Sequence, residues 1–578
     1  MGKIYQIDGA AAQLREILGN ALEKAASGEK LPSAPVPDFN VEIPADKTHG
    51  DFAANIAMVC TKIFKMPPRK IAEEILSELA LDGTYFERCE IAGAGFMNFF
   101  LAKNWFGDVI RAVLDEKENY GKSDMGGGKT VLLEFVSANP TGPMHIGNAR
   151  GGAIGDSLAS VLDFAGYNVS REFYINDAGN QIERFATSLE VRYLQRHKDN
   201  IEMPEDGYQG DDIKKHAEDF SEIFGKKYAD VSAEERRAAL VDFALPKNIA
   251  ALESDLLKYR IKYDNWFRES TLHESGRADE IVKLFTEKGH TYTEDGAVWF
   301  KAAAFGADKD FVLVRANGVP TYVVPDIAYH YDKLVTRDFY RAIDILGADH
   351  HGYVARLKAA LTALGVDADR LEVIIMQMVR LVRGGETVKV SKRSGKAITL
   401  VTLLDDIPAD AARFYFNLRE ANTHFEFDLD LAVEKSSQNP VFYVQYAHAR
   451  LCSLIENFYS DGNENDNNSD DTIVKANPDD LNNADLELLD KPQEIELIRQ
   501  IAMFPKMIES AAKTYDPSKL TRYSIAVAAA LHKFYDSYRV KNAETEQLGF
   551  ARLALCAAVK QILRNTLTLL KVECPEKM

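Results

Sequence analysis

A chain of 578 residues with 46% hydrophobic and 27% charged residues has material for three or four packed domains. Its net charge of −19 argues against a protein that coats DNA non-specifically, no apolar run is long enough to span a bilayer, and the start MGKIYQ has neither a signal-peptide core nor a hydroxyl at position six for myristoylation. Five scattered cysteines (Cys60, Cys89, Cys452, Cys556 and Cys574), odd in number and without a CxxC pair, fit free thiols in a reducing cytosol better than disulfides or a zinc site.

In chain order, residues 1–120 read as a mixed α+β unit. AAQLREILGNALEKA and PRKIAEEILSEL have helical spacing, and CEIAGAGFMNFFL reads as a short strand-like piece. The linker GKSDMGGGK fails as a phosphate loop, because Ser123 stands where the first Gly is needed and a strand follows it. From Thr130 the pattern is strand (VLLEFV), helix (HIGNARGGAIGDSLASVLDFAG), strand (NVSREFYIND), a βαβ unit that predicts a parallel sheet. A charged helical stretch, residues 190–275, reads as an insertion. DFVLVRA, TYVVP, AIDILGA and LEVIIMQMV are further strand candidates, with LKAALTALG a helix between the last two. After residue 405 the chain turns to long amphipathic helices, broken by an acidic loop at 461–490 that reads as disordered. That loop carries 1 Lys against 10 acids, whereas 491–578 carries 14 Lys/Arg against 9 Asp/Glu, a basic end that on charge alone fits a solvated helix face best.

Two segments carry chemistry. In ANPTGPMHIGNARGGAIGD, a helix begins where a buried parallel strand ends, so its free N–H groups and dipole form an anion site in the crevice above the sheet. Gly147, Gly151 and Gly152 would admit a flat ligand, and His145 and Asn148 share one side of the first turn. In RGGETVKVSKRSGKAITL, Lys389, Lys392 and Lys396 lie in a Gly/Ser-rich loop that could close over phosphates. Taken alone, the first segment could be a tight turn with a core histidine and the second a solvated basic loop.

Together they resemble the signature pair of the class I aminoacyl-tRNA synthetases, with HIGN for HIGH and KVSKR for KMSKS, 244 residues apart. Asn148 replaces the second His, but its amide still offers donors; Val390 and Arg393 also depart from the pattern, while Lys389, Ser391 and Lys392 keep it. Further segments, among them EFVSANPTGPMHIGNARGG, YINDAGNQIERFA, PTYVVPDIAYH, GADHHGY and NPVFYVQYAHAR, resemble the bacterial arginyl-tRNA synthetase family in order over nearly the whole chain.

The resemblance implies a Rossmann-type α/β catalytic domain at 121–405, an N-terminal additional domain touching the tRNA elbow, and an all-α anticodon-binding domain at 406–578. It implies arginine activation with Mg-ATP and transfer to tRNA(Arg), in a cytoplasmic monomer with no membrane or DNA partner and no protein-bound structural metal. His145, Asn148, Lys389, Ser391 and Lys392 would be the catalytic set, with Pro143, Gly147 and Gly151 also around ATP. Glu134, Tyr322 and Asp326 would hold the guanidinium, since a planar five-donor fork pairs well with carboxylates. Ser137 and Asn139 would hold the amino and carboxylate end, with His350 nearby. Tyr446, Arg450, Lys533, Tyr535, Tyr538, Arg539 and Met578 are candidates for tRNA contact. The His350–His351 pair lacks a third ligand at metal spacing. Rival readings are another class I specificity, a small-molecule nucleotidylyltransferase, which is usually a short single domain, and a non-catalytic RNA-binding paralogue, against which the intact His145, Lys389 and Lys392 argue.

Overall fold

The computed structural model describes residues 3–389, 398–458, 481 and 483–578. At the N-terminus, helix Gln6–Ser27 buries Leu14, Leu18 and Leu22, spaced four apart, in one core with Phe52, Phe99 and Trp105. The sheet of this unit comprises β1 (Val41–Glu42), β2 (Phe52–Ala54), β3 (Phe86–Ala92) and β4 (Phe96–Leu101), antiparallel in the order β1-β2-β4-β3. CEIAGAGFMNFFL is therefore the end of β3, a turn and all of β4, a hairpin rather than one strand. Gly95, at φ +129°, lies so close to Pro68 that a Cβ would stand 2.9 Å from its carbonyl, and only glycine fits there.

The central sheet draws on β5 (Thr130–Glu134), β6 (Asn168–Ile175) and β7 (Asn265–Arg268). A separate antiparallel sheet follows, of β8 (Thr291–Glu294), β9 (Ala297–Phe300) and β10 (Phe311–Val314). The chain then returns through β11 (Arg341–Gly347) and β12 (Leu371–Met376), which complete a parallel sheet in the order β12-β11-β5-β6-β7. A small third sheet joins β13 (Val379–Arg383), β14 (Glu386–Thr387) and β15 (Phe425–Asp428). The strand order runs outward from β5 in one direction and returns on its other side at β11. That reversal opens a crevice above the carboxyl ends of β5 and β11.

Three strand expectations change. DFVLVRA forms β10, outside the parallel sheet. LEVIIMQMV divides at Gln377 between two sheets. TYVVP starts the helix Val323–Tyr331, whose first turn tolerates Pro325 because its N–H would lack a partner there anyway. Asn180–Leu194, which starts ten residues before the stretch expected to be an insertion, packs with Asp211–Phe224 and Ala233–Lys258 around a separate core of Phe185, Leu189, Tyr193, Phe220 and Leu240.

β15 falls inside the stretch expected to be wholly helical and pairs with β13, so the helical bundle proper begins at Pro440. It continues through Pro492–Ala502, Phe504–Thr514, Ser518–Ser537 and Glu546–Leu569. Buried Arg413 ties it to the centre: its guanidinium donates to Asp156 Oδ2 (2.6 Å), Leu570 O (2.9 Å) and Tyr259 O (2.9 Å). The N-terminal unit is held through Arg499–Asp51 (2.6 Å) and Asn565 Nδ2 donating to Lys117 O (2.8 Å). No helix among the described residues is long and apolar enough to cross a membrane.

Candidate active site at the strand switch point

The crevice is a cleft of about 760 Å³. Its first wall begins at the end of β5. Val136, a β-branched residue at φ +71°, is the centre of a three-residue turn closed by Ser137 N–H donating to Phe135 O (3.0 Å). Such a conformation is strained and is held by its surroundings. It aims Ser137 Oγ back at the strand, where it donates to Glu134 Oε1 (2.8 Å) and accepts the N–H of Tyr174 (3.1 Å). Asn139 is exposed and lines the cleft. Asn248 of the insertion donates to Pro140 O (2.9 Å) and so fixes the loop that leads to the next helix.

That helix, Ile146–Phe164, has His145 as its N-cap. Asn148 Oδ1 accepts the His145 N–H (3.0 Å), a reciprocal cap, and its amide nitrogen reaches toward Val136 O (3.5 Å). The amide thus shapes the helix start itself. His145 Nδ1 accepts from the Gly147 N–H (3.4 Å), which leaves Nε2 to carry the ring proton in the neutral form. The glycines divide by role. Gly147 and Gly151 line the cleft. Gly152 instead packs on Ile261, which a Cβ would approach to 2.7 Å, and Gly155 packs against the Phe135 ring. The ligand-approach reading of Gly152 therefore gives way to helix–strand packing.

The two signature segments meet here. Leu400 N donates to Met144 O (3.0 Å), and Thr399 and His145 form an isolated antiparallel bridge. Of this second segment the described ends are β14 with Val388 and Lys389, and Ile398 to Leu400 beside the helix cap. Lys389 is exposed at its start; Ser391, Lys392 and Lys396 lie outside the described residues.

Beneath the cleft lies a feature the sequence reading missed. Asp344, Glu134 and Glu172 are register partners across β11, β5 and β6, a row of three buried carboxylates on one face. Lys333, fully buried, donates to Glu134 Oε2 (2.6 Å) and Asp344 Oδ1 (2.8 Å). His330 Nε2 stands 2.6 Å from Asp344 Oδ2, and Arg337 grips Glu172 with both ends of its fork (2.5 and 2.9 Å). Burial would depress the Lys333 ammonium, but Asp344 and then Glu134 outweigh it and hold it above its ordinary value. Burial likewise opposes ionisation of Asp344, yet Lys333 and His330 keep its carboxyl well below the usual range. Burial pushes Glu134 up, with Lys333 pulling against it. Asp326, His330 and Lys333 are spaced i, i+4, i+7, so reading PTYVVPDIAYHYDK as a helix would have put them on one face.

Asp326 lines the cleft with its side chain about one-third exposed (35%), and among the described residues no Lys or Arg pairs with it. Tyr353 Oη is buried beside it, and burial together with the Asp326 carboxylate raises the pKa of the phenol; among the described residues that Oη makes no hydrogen bond of good geometry. Tyr322 is 75% exposed at the helix N-cap and stands outside the cleft lining. His350 and Pro143 line the cleft, His350 with its Nε2 3.6 Å from the Asp349 carboxylate. Among the described residues no group of three His, Cys, Asp or Glu side chains has the geometry to hold a metal.

In the helical bundle Tyr446 is exposed and stacks on Phe442, while the Arg450 guanidinium lies 3.8 Å over the Tyr535 ring. Lys533, Arg539 and Met578 are exposed. Tyr538 is half-buried and committed to Gln493 (2.6 Å).

Three family models match the chain: the arginyl tRNA synthetase N-terminal domain (residues 12–101), the tRNA synthetases class I (R) catalytic domain (109–452) and the DALR anticodon binding domain (444–578). An arginine–tRNA ligase of Caldanaerobacter subterraneus subsp. tengcongensis is 51% identical over 569 residues, 98% of this chain and 99% of the relative. One of Ruminiclostridium cellulolyticum is 48% identical over 568 residues, 98% of each. Among solved structures, a putative arginyl-tRNA synthetase from Campylobacter jejuni superposes with a TM-score of 0.74 at 32% identity, covering 83% of this chain and all of the other. The Thermus thermophilus arginyl-tRNA synthetase shares the fold over 98% of this chain and all of the other, with a TM-score of 0.71 at 21% identity.

Proposed function

The chain belongs to the class I arginyl-tRNA synthetases and is an arginine–tRNA ligase; we propose that the cleft above β5 and β11 is where it assembles arginine, ATP and the tRNA end. The reaction has two steps. A carboxylate oxygen of arginine attacks the α-phosphorus of ATP, the bond to the β-phosphate breaks, and pyrophosphate leaves. A ribose hydroxyl at the tRNA 3′ end then attacks the arginyl carbonyl carbon and AMP leaves. Neither step needs a covalent bond to the enzyme, so catalysis is positioning together with stabilisation of phosphate charge.

His145 Nε2–H, the first N–H groups of Ile146–Phe164 and the open edge at Gly147 and Gly151 receive the phosphates, flanked by Pro143. Asn148 serves that site by holding the cap. Lys389, Ser391 and Lys392 close over the departing pyrophosphate. Mg²⁺ enters with ATP, since phosphate oxygens and water suit its octahedral shell. Asp326 supplies the free negative charge for the guanidinium. Glu134, already engaged by Lys333 and Ser137, contributes its remaining lone pairs. Tyr322 closes this end from the rim. Ser137, Asn139 and His350 face the amino and carboxylate end, and attack comes from the tRNA 2′-hydroxyl. Residues 1–120 meet the tRNA elbow, 121–405 form the catalytic unit, and 406–578 form the anticodon-binding unit, whose exposed or half-exposed Tyr446, Arg450, Lys533, Tyr535, Arg539 and Met578 are candidates for tRNA contact. The working form is a cytoplasmic monomer.

The observation that carries this assignment is the meeting of His145 and Thr399 at the switch-point crevice, with an Asp326 carboxylate that no Lys or Arg among the described residues pairs. Truncating one member of a hydrogen-bonded charge pair costs about 2–5 kcal/mol, and partial exposure of Asp326 favours the lower part. Asp326→Ala should therefore lower kcat/KM for arginine roughly 30- to 150-fold with the ATP KM little changed. An unchanged arginine KM would remove Asp326 from the pocket.

A further inference from the structure

Glu134 and the backbone of Asp326, the two residues whose carboxylates are assigned to the guanidinium, are joined by one unbroken chain of buried and part-buried hydrogen bonds. It runs from the Asp326 carbonyl to His330 Nδ1 (2.7 Å), from His330 Nε2 to Asp344 (2.6 Å), and from Asp344 through Lys333 (2.8 Å) to Glu134 (2.6 Å). From Glu134 it continues through Ser137 (2.8 Å) to the Tyr174 N–H (3.1 Å). Both ring nitrogens of His330 therefore face acceptors, a carbonyl on one side and a carboxylate on the other. A neutral imidazole has one N–H and one lone pair, so it would press that lone pair against one of them. Only the imidazolium donates on both sides.

The surroundings make the same demand. The groups facing His330 are Asp326 and Lys333 from its own helical segment, Asp344 from β11, Glu134 from β5, and the ring of Tyr329. The row of three carboxylates across β11, β5 and β6 is answered by Lys333 and Arg337, and by a third cation only when His330 is protonated. Lys333 enters from the wide turn Asp332–Thr336, whose i+5 bonding prolongs the helix, a kind of distortion that recurs at functional sites.

We propose that His330, as an imidazolium, and Lys333 are positioning residues for arginine selection: through Asp344 they fix the spacing between Asp326 and Glu134. Neither needs to touch the substrate. This rests on the assignment of Asp326 to the guanidinium. Burial and Lys333 disfavour the His330 charge, but Asp344 and Asp326 outweigh them and raise its pKa.

Two measurements test it. First, steady-state aminoacylation by His330→Gln, whose amide can keep a donor on Asp344 but cannot donate to both neighbours, should show an arginine KM raised about tenfold or more. Its kcat and ATP KM should stay within about threefold of the parent. An arginine KM within about twofold, or arginine and ATP KM rising together as general damage would cause, overturns the proposal. Asp326→Ala run alongside separates the two levels: if it leaves arginine KM unchanged, the pocket reading fails, whereas an effect there without one in His330→Gln defeats the relay alone. Second, ¹⁵N spectra of the histidine-labelled parent at about pH 8, where an ordinary histidine is over nine-tenths neutral, should retain an imidazolium signal among the 12 histidines. That signal should vanish in His330→Gln. Twelve neutral histidines at that pH overturn the proposal without any variant.

Discussion

Arg413→Met tests how the ATP-side helix is tied to the C-terminal bundle. The methionine roughly fills the space of the aliphatic stem, so cavity cost is small and the loss is polar. The change removes a fully buried guanidinium from Asp156, itself 3% exposed at its side chain, and from two backbone carbonyls, Tyr259 O and Leu570 O. Breaking a buried pair from one side costs about 3–5 kcal/mol. Arg171, whose Nε stands 3.6 Å from the other Asp156 oxygen, keeps that carboxylate partly compensated and brings the pair's share to the lower end. Each orphaned carbonyl adds about 1 kcal/mol where water cannot reach it. The expected loss is about 5 kcal/mol, read from the shift of the urea midpoint followed by tryptophan fluorescence and by circular dichroism together. Asp156→Asn and the double variant complete a cycle, whose coupling should be about 2 kcal/mol because the two residues share one contact. A loss below about 1 kcal/mol, or additive single variants, would refute the claim that this pair carries the junction.

Gly155→Ala should destabilise by roughly 1–3 kcal/mol, because its methyl would overlap the Phe135 ring behind the cleft; a neutral result in thermal melting would mean that the helix can shift freely off β5. Lys389→Ala should lower kcat for pyrophosphate exchange by about tenfold or more while arginine KM holds, as expected of a group used mainly when pyrophosphate leaves; a pure arginine KM effect would misplace it. Stability should also depend on pH through the buried row. The Asp344 carboxyl is depressed in the fold, so its contribution is present above the unfolded value of about 3.9 and is lost as pH falls toward its folded value. Asp344→Asn should flatten the acid limb of the stability curve, and an unchanged limb would assign the acid loss elsewhere.

The parallel sheet and its ligand end were legible because VLLEFV, HIGNARGG and NVSREFYIND carry strand, cap and strand signals within a single βαβ unit. Their order alone places a crevice at the carboxyl end. The Glu134–Lys333–Asp344–His330 cluster was not legible, because its members come from β5, a helix and β11, and only the strand register puts the carboxylates side by side. The TYVVP misreading hid it further: β-branched residues suggested a strand, while Pro325 and Asp326 fit the first turn of a helix equally well. Gly152 and Gly155 read like Gly147 and Gly151 in sequence, and only packing on Ile261 and Phe135 separates them. In the bundle, helical spacing cannot say which of Tyr535 and Tyr538 is free. The structure commits Tyr538 to Gln493 and places Arg450 over Tyr535.

The most direct measurement is ATP–pyrophosphate exchange by the purified chain with each standard amino acid, with and without tRNA(Arg), followed by charging of that tRNA. The account predicts exchange and charging with arginine alone, sharply reduced in Asp326→Ala. Exchange with glutamate or cysteine but not arginine would contradict it.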